Sequence, residues 1–186
     1  MSKLEDIMEA TLDLIVEEGL DSVTFAKIFK RASVGAGTVY NYFENKEQLI
    51  NELYKKSRLN MSSRLLIDYD PDSGLYARFK CLVQNYLKYA RDFSREFIFV
   101  DSYSFSSSIP PEVRNLNEDG GIRELLSVIH EGQRLGILQD MEPYMSIQIV
   151  HGIISSIVRG FHIQKYPLNE LQLQQTVDAC WKAIKF

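Results

Sequence analysis

The sequence has only two cysteines, Cys81 and Cys180, and it lacks any long apolar run. Each cysteine stands in an apolar helical pattern, which favours buried thiols over a disulfide. A membrane span requires about 18 consecutive apolar residues, and the charged N-terminus MSKLEDIMEA lacks the apolar core of a signal peptide. We therefore expect a cytoplasmic protein that is neither secreted nor inserted in a membrane.

Basic residues are outnumbered as well, because 21 Lys and Arg stand against 25 Asp and Glu, and the net charge is −4. An acidic protein is on average a poor partner for a polyanion. The charges are unevenly placed, however. Residues 3–21 contain seven acids and one lysine, whereas residues 24–46 contain one acid, Glu44, and the basic residues Lys27, Lys30, Arg31 and Lys46. A local surface that binds phosphate is therefore compatible with the composition.

Helical periodicity runs through the chain and no β-strand pattern competes with it, so the sequence predicts an all-α fold. Ser2 and Glu5 have the spacing of a capping box in front of the first helix. Gly19 follows the last apolar residue of that pattern and predicts a left-handed helix end. The first helix is therefore expected to end at Gly19.

Two short helices follow, joined by only three residues. Thr24 is the expected N-cap of the first of them, which ends near residue 32, and the second runs from about 36 to 43. Asn45 is the expected N-cap of a longer helix that extends to about residue 67. The segment DYDPDSG at 68–74 then interrupts the helical pattern.

The C-terminal part contains a segment, residues 143–166, whose apolar residues surround the helix. Such a helix is buried on all sides. A last helix with one apolar face follows from about residue 170. One chain of this length is too short to cover both helices, so we expect them to pair with a second copy. The predicted dimer interface comprises Gly152, Ser156, Gly160, Val177 and Trp181; the alternative is a central core helix of a monomer.

The stretch GAGTVYNYFENK, residues 35–46, carries the strongest functional signal. Two short helices with a three-residue connection have the geometry of a helix-turn-helix, whose second helix enters the major groove of DNA. Val39 and Phe43 are expected to face inward, while the tyrosines reach phosphates on either side. The alternative is that Tyr40 and Tyr42 only cover a small core. The predicted DNA-binding residues are Thr24, Lys27, Ala36, Gly37, Thr38, Tyr40, Asn41, Tyr42 and Lys46.

Residues 1–50 resemble the DNA-binding domain of the TetR family of bacterial transcriptional regulators, whose pattern is close to T-x-x-x-I-a-x-x-A-G-V-s-x-G-T-l-Y-x-Y-F-x-x-K-e-x-L. The sequence departs from that pattern at Phe29, where the family usually has alanine, and at Ser33, where it usually has glycine. Ser33 predicts a less left-handed end of its helix. The matching residues are Thr24, Ile28, Ala32, Val34, Gly37, Thr38, Val39, Tyr40, Tyr42, Phe43, Lys46, Glu47 and Leu49.

The resemblance implies a three-helix helix-turn-helix domain over residues 1–46 and a helical ligand-binding and dimerisation domain over 47–186. It further implies a homodimeric repressor that binds an inverted-repeat operator in double-stranded DNA and leaves it when a small-molecule effector binds. The alternative is a constitutive helix-turn-helix protein that is controlled by protein partners.

An effector site would require an apolar cavity with a few polar groups. The candidate residues are Tyr86, Phe97, Phe99, Asp101, Tyr103, Phe105 and Phe161, although aromatic rings at helical spacing also fit an ordinary core. His151 and His162 have no cysteine or carboxylate at ligand spacing, so no metal is expected. GAGT follows no strand and no Ser-His-Asp set is assignable. We therefore expect neither a cofactor nor an enzymatic activity.

Overall fold

The protein is mainly helical in the part that its computed structural model describes, residues 2–114 and 120–186. Within those residues the only β-structure is an isolated antiparallel bridge between Leu138 and Lys185, and the predicted all-α fold is confirmed. A short 3₁₀ turn, Leu20–Ser22, follows the first helix. The α-helices are α1 (Lys3–Glu18), α2 (Phe25–Ala32), α3 (Ala36–Tyr40), α4 (Lys46–Leu65), α5 (Leu75–Asp92), α6 (Ser94–Tyr103), α7 (Pro111–Arg114), α8 (Gly120–Arg134), α9 (Pro143–His162) and α10 (Glu170–Ile184).

The ends of α1 follow the sequence signals closely. The Glu5 N–H donates to the Ser2 hydroxyl oxygen at 3.2 Å, and the Ser2 N–H donates to the Glu5 carboxylate at 2.7 Å. The capping box is therefore confirmed. Gly19 ends the helix at the expected place, but its φ of 83° and ψ of 155° differ from the left-handed helical conformation that the sequence predicts. This backbone region is essentially open only to glycine.

The first of two compact units contains the chain up to Leu59 together with the described residues 93–114. It therefore includes α6 and α7 as well as the two short helices and the start of α4. One hydrophobic core joins these elements. Its members include Ile7, Ile15, Ile28, Val39, Leu49, Tyr54, Phe99 and Ile109.

Polar contacts attach α6 to α1 within this first unit. The Arg95 guanidinium donates to the Glu9 carboxylate at 3.0 Å and also to the Asp13 carboxylate. The Tyr103 hydroxyl oxygen accepts a hydrogen bond from the Leu20 N–H at 3.0 Å. Because Leu20 opens the 3₁₀ turn after α1, this bond satisfies a backbone donor that the helix leaves free.

The second unit contains the end of α4 from Asn60, then α5, and the described residues from Gly120 onward. Helices α8, α9 and α10 pack with α5 in this unit. The Trp181 ring of α10 lies on two aromatic rings of α5, with centroid distances of 5.1 Å to Tyr76 and 5.0 Å to Phe79. The core includes Phe79, Leu87, Ile129, Ile154, Leu173 and Val177.

The two cysteines are free thiols in different environments. Cys180 is fully buried, as expected, and burial raises the pKa of its thiol to about 12. Cys81 is only half-buried, so the expectation of a buried thiol is wrong at this position. Its sulfur lies near the Ile67 carbonyl, at the edge of the loop that follows α4.

Among the described residues, no helix combines the length and the apolarity that a membrane crossing requires.

Candidate nucleic-acid interface

Local signals mark both ends of α2. The Thr24 hydroxyl oxygen accepts a hydrogen bond from the Lys27 N–H at 3.4 Å, so the predicted N-cap of α2 is confirmed. Ser33 ends α2 with φ 54° and ψ 43°, and the Val34 N–H donates to the Phe29 carbonyl at 3.1 Å. The predicted less left-handed end is therefore wrong. The short connection requires the left-handed conformation, which serine adopts here at a cost that glycine would avoid.

Helix α3 separates its side chains into an inner and an outer set. Val39 is fully buried and Phe43, just beyond the helix, is 4% exposed, so both face inward as predicted. Tyr40 is 56% exposed and Tyr42 is 45% exposed. Asn41, between them, is exposed as well. The amide and the two phenol groups therefore lie together on the outer surface at the end of α3.

The start of α3 carries two glycines that the fold itself does not require. Neither Gly35 nor Gly37 has a positive φ, so an L residue could adopt either conformation. A Cβ atom built on either glycine meets no described atom within 4 Å beyond its own helix and neighbours. Ala36, between them, is exposed, and Thr38 is half-buried. Neither internal packing nor backbone conformation therefore explains the two glycines at the helix start.

The two lysines that the sequence assigns to phosphates have acceptors within the chain. The Lys27 ammonium donates to the Glu18 carboxylate at 2.5 Å and to the Ser22 carbonyl at 2.8 Å. The Lys46 ammonium donates to the carbonyls of Leu20 and Val23 at 3.2 and 3.0 Å. Sequence reasoning missed the bonds of Lys46 because backbone carbonyls distant along the chain leave no residue-type signal.

The acidic face of α1 also neutralises part of the basic charge of α2. The Arg31 guanidinium lies 2.6 Å from the Glu17 carboxylate and 4.0 Å from that of Asp13. The hydrogen bond from Arg31 lowers the pKa of Glu17. Lys30 is exposed and has no ion-pair partner among the described residues. It lines an open depression between α1 and α2 with Leu14, Glu18, Lys27 and Arg31.

Two residues of the predicted dimer interface lie on an exposed face of α9. Gly152 and Ser156 are both exposed, and a Cβ on Gly152 would meet no described atom within 4 Å. Gly160 differs, because a Cβ there would lie 2.2 Å from the Tyr166 hydroxyl oxygen. That hydroxyl donates to the Ile157 carbonyl at 2.9 Å. The predicted ridge of small residues is therefore covered by the chain's own Tyr166 at its C-terminal end.

The two predicted interface residues of α10 point into their own unit. Val177 is fully buried, so it is not available to a second copy. Trp181 is half-buried against Tyr76 and Phe79 of α5. Both residues follow the apolar periodicity of α10, which cannot distinguish an intramolecular partner from an intermolecular one. On α9, Tyr144 at 58% and Met145 at 56% remain exposed within the single chain, so the predicted burial of that helix on all sides depends on the second copy that the prediction includes.

The predicted effector residues do not form one pocket within either unit. Phe99 and Tyr103 belong to the core of the first unit, where the Phe99 ring packs edge-on against Tyr54 at 5.8 Å. Phe105 is 76% exposed. In the same unit Phe97 is buried and Asp101 is half-buried, whereas Tyr86 and Phe161 belong to the second unit.

In the second unit Tyr86 has His151 as a polar partner. Its hydroxyl oxygen lies 2.8 Å from the Nδ1 atom of His151, and the two rings are stacked at 6.0 Å. The pair connects α5 with α9 inside one unit. No group of three or more His, Cys, Asp or Glu side chains able to hold a metal comes together in the described part of the chain.

Comparison with protein families covers nearly the whole chain. Residues 7–53 match the model described as bacterial regulatory proteins of the tetR family. Residues 54–186 match the model described as the tetracyclin repressor-like C-terminal domain. The first match contains α1 to α3 and the start of α4, and the second contains the helices that follow.

Individual relatives match along most of the chain. An HTH-type transcriptional regulator of Haemophilus influenzae is 21% identical over 97% of this chain and 95% of its own length. A fatty acid metabolism regulator protein of Bacillus subtilis is 24% identical over 89% of this chain and 88% of its own.

Solved structures show the same fold. A TetR family transcription regulator from Marinobacter aquaeolei matches with a TM-score of 0.88, at 18% identity over 98% of this chain and 95% of that one. The FadR regulator of Bacillus subtilis in complex with stearoyl-CoA matches with a TM-score of 0.72, at 21% identity over 96% and 95%. The members of this family are transcription regulators and not enzymes, and the chain, a DNA-binding regulator, belongs to the TetR family of bacterial regulatory proteins.

Proposed function

We propose that the chain is a homodimeric repressor that binds an inverted-repeat operator through α3 and leaves it when a small molecule binds. In a helix-turn-helix dimer the two recognition helices must fit half-sites that lie roughly 34–36 Å apart. A ligand that favours another separation therefore weakens operator binding. Because operator DNA is in the bacterial cytoplasm, we place the protein there.

The observation that carries this proposal is the presence of Gly35 and Gly37 at the start of α3. Gly37 costs helix stability relative to alanine, and neither packing nor a positive φ within the described chain requires it. Glycine is common where a protein backbone must approach another molecule closely. At the end of α3, Tyr40, Asn41 and Tyr42 expose hydrogen-bonding groups suited to phosphates and base edges.

The test compares stability with DNA affinity in Gly37→Ala. Operators are first selected from random duplex DNA with the wild-type protein, and affinities are then measured at one fixed salt concentration. We expect Gly37→Ala to raise unfolding stability by up to about 1 kcal/mol and to weaken operator binding about 10-fold, comparable with one lost contact.

Gly74→Ala is the matched control. A Cβ on Gly74 also meets no described atom within 4 Å, and the residue lies in the loop before α5. Its affinity should equal that of the wild type. Wild-type affinity in Gly37→Ala would show that α3 does not approach DNA as proposed.

For the effector, we propose a long-chain acyl thioester as the first ligand class to test. The relative from Bacillus subtilis is a fatty acid metabolism regulator, and a solved relative contains stearoyl-CoA. Stearoyl-CoA should raise the melting temperature and release the operator, whereas coenzyme A alone is the control. A ligand at 100 times its Kd stabilises the protein by about 2.7 kcal/mol.

The constitutive alternative makes the opposite prediction. If stearoyl-CoA and a broad panel of metabolites neither raise the melting temperature nor release DNA, control by protein partners replaces the ligand-responsive model. Operator selection does not depend on this outcome, so the two parts of the proposal are tested separately.

A further inference from the structure

Tyr40 is held by two aromatic rings of α2. The Tyr40 ring centroid lies 5.2 Å from that of Phe25, with the planes at 73°, and 6.1 Å from that of Phe29, with the planes at 64°. The Phe25 and Phe29 rings are themselves 5.8 Å apart, one helical turn from each other. Edge-to-face pairs at these distances are favourable beyond the area that they bury.

The contacts leave the polar end of Tyr40 free. The side chain is 56% exposed, and among the described residues its hydroxyl has no hydrogen-bond partner. Phe25 and Phe29 are half-buried and pack against the core of the first unit. Because the hydroxyl lies on the ring axis, fixing the ring plane and centroid also restricts where the oxygen can be.

We infer that Phe29, together with Phe25, is a positioning residue for DNA binding that acts through Tyr40. This inference rests on the proposed function. Position 29 is also one where the TetR pattern usually has alanine. An alanine side chain at 29 has no ring to contact Tyr40. The contacts with Phe25 and Phe29 restrict the Tyr40 side chain before DNA binds. Less side-chain entropy is therefore lost when the Tyr40 hydroxyl reaches a phosphate.

A double-mutant cycle on the selected operator tests the inference. Phe29→Ala should weaken binding about 2- to 10-fold, which corresponds to immobilising one side chain. In a Tyr40→Phe background the same substitution should change affinity less than about 2-fold, because no hydroxyl remains to be positioned. An equal loss in both backgrounds would overturn the inference, since Phe29 would then act on the fold or on DNA directly.

Phe29→Leu controls for lost packing, because leucine retains apolar volume against the core but has no ring edge. Its melting temperature should lie closer to that of the wild type than the melting temperature of Phe29→Ala. Its operator affinity should nevertheless fall in the wild-type background and not in the Tyr40→Phe background. Full affinity in Phe29→Leu would overturn the role of the aromatic ring.

A measurement without DNA separates this inference from the proposed function. In protein labelled with 3-fluorotyrosine, the Tyr40 resonance is assigned by its loss in Tyr40→Phe. Phe29→Ala should shift that resonance, whether or not the protein selects an operator. An unchanged resonance would show that the rings are not in contact in solution, whereas a shifted resonance with no operator selected would contradict only the DNA role.

Discussion

The ammonium group of Lys46 lies 3.0 Å from the backbone carbonyl oxygen of Val23. A second bond, to the Leu20 carbonyl at 3.2 Å, connects the start of α4 with both ends of the segment that joins α1 to α2. Lys46 is half-buried there. The residue therefore stabilises the DNA-binding unit as well as being a candidate for a phosphate contact.

Lys46→Ala should lower the free energy of unfolding by about 1 kcal/mol, because two carbonyls lose a charged donor. It should also weaken binding to all DNA sequences and lower the salt slope of log K by about 1, as expected for one lost phosphate contact. Urea unfolding and affinity over a salt series measure the two effects. An unchanged salt slope in folded protein would restrict Lys46 to its structural role.

Ser33→Gly should stabilise the protein by about 1 kcal/mol, since Ser33 has φ 54° and a Cβ is unfavourable in the left-handed region. Ser33→Ala retains the Cβ and should give no gain. Chemical denaturation of the two variants and the wild type makes the comparison. Equal stability of all three would contradict the assigned backbone strain.

Tyr103→Phe should destabilise the protein by about 1 kcal/mol, because the Leu20 N–H loses its acceptor in a partly buried site. Phe105→Ala, two residues further on, should change stability by less than about 0.5 kcal/mol, since the side chain is 76% exposed. Thermal unfolding measures both. The reverse order of effects would contradict the hydrogen bond between Tyr103 and Leu20.

Ser156→Leu should weaken dimerisation about 10-fold or more, because a two-fold axis brings two copies of the larger side chain into the interface. Sedimentation velocity over a concentration series measures the effect. Ser102→Leu, at an exposed position of α6, is the control and should leave the dimer intact. An intact Ser156→Leu dimer would place the interface on another surface.

Sequence alone was sufficient for several features that depend on neighbours within about four residues, although not for the end of α2 at Ser33. The capping box of Ser2 and Glu5, the N-cap at Thr24, and the inward side chains of Val39 and Phe43 are all confirmed. Helical geometry brings such residues together wherever the helix lies in the fold.

Contacts between distant segments required the tertiary structure. Tyr103 reaches Leu20 across 83 residues, and Lys46 reaches Val23 across 23. Tyr166 is close to Gly160 along the chain but lies beyond the end of α9, and the turn there places its ring on a helix face that the pattern leaves uncovered. Apolar periodicity determined which face of each helix is buried, but only the packing of the chain decided what covers that face.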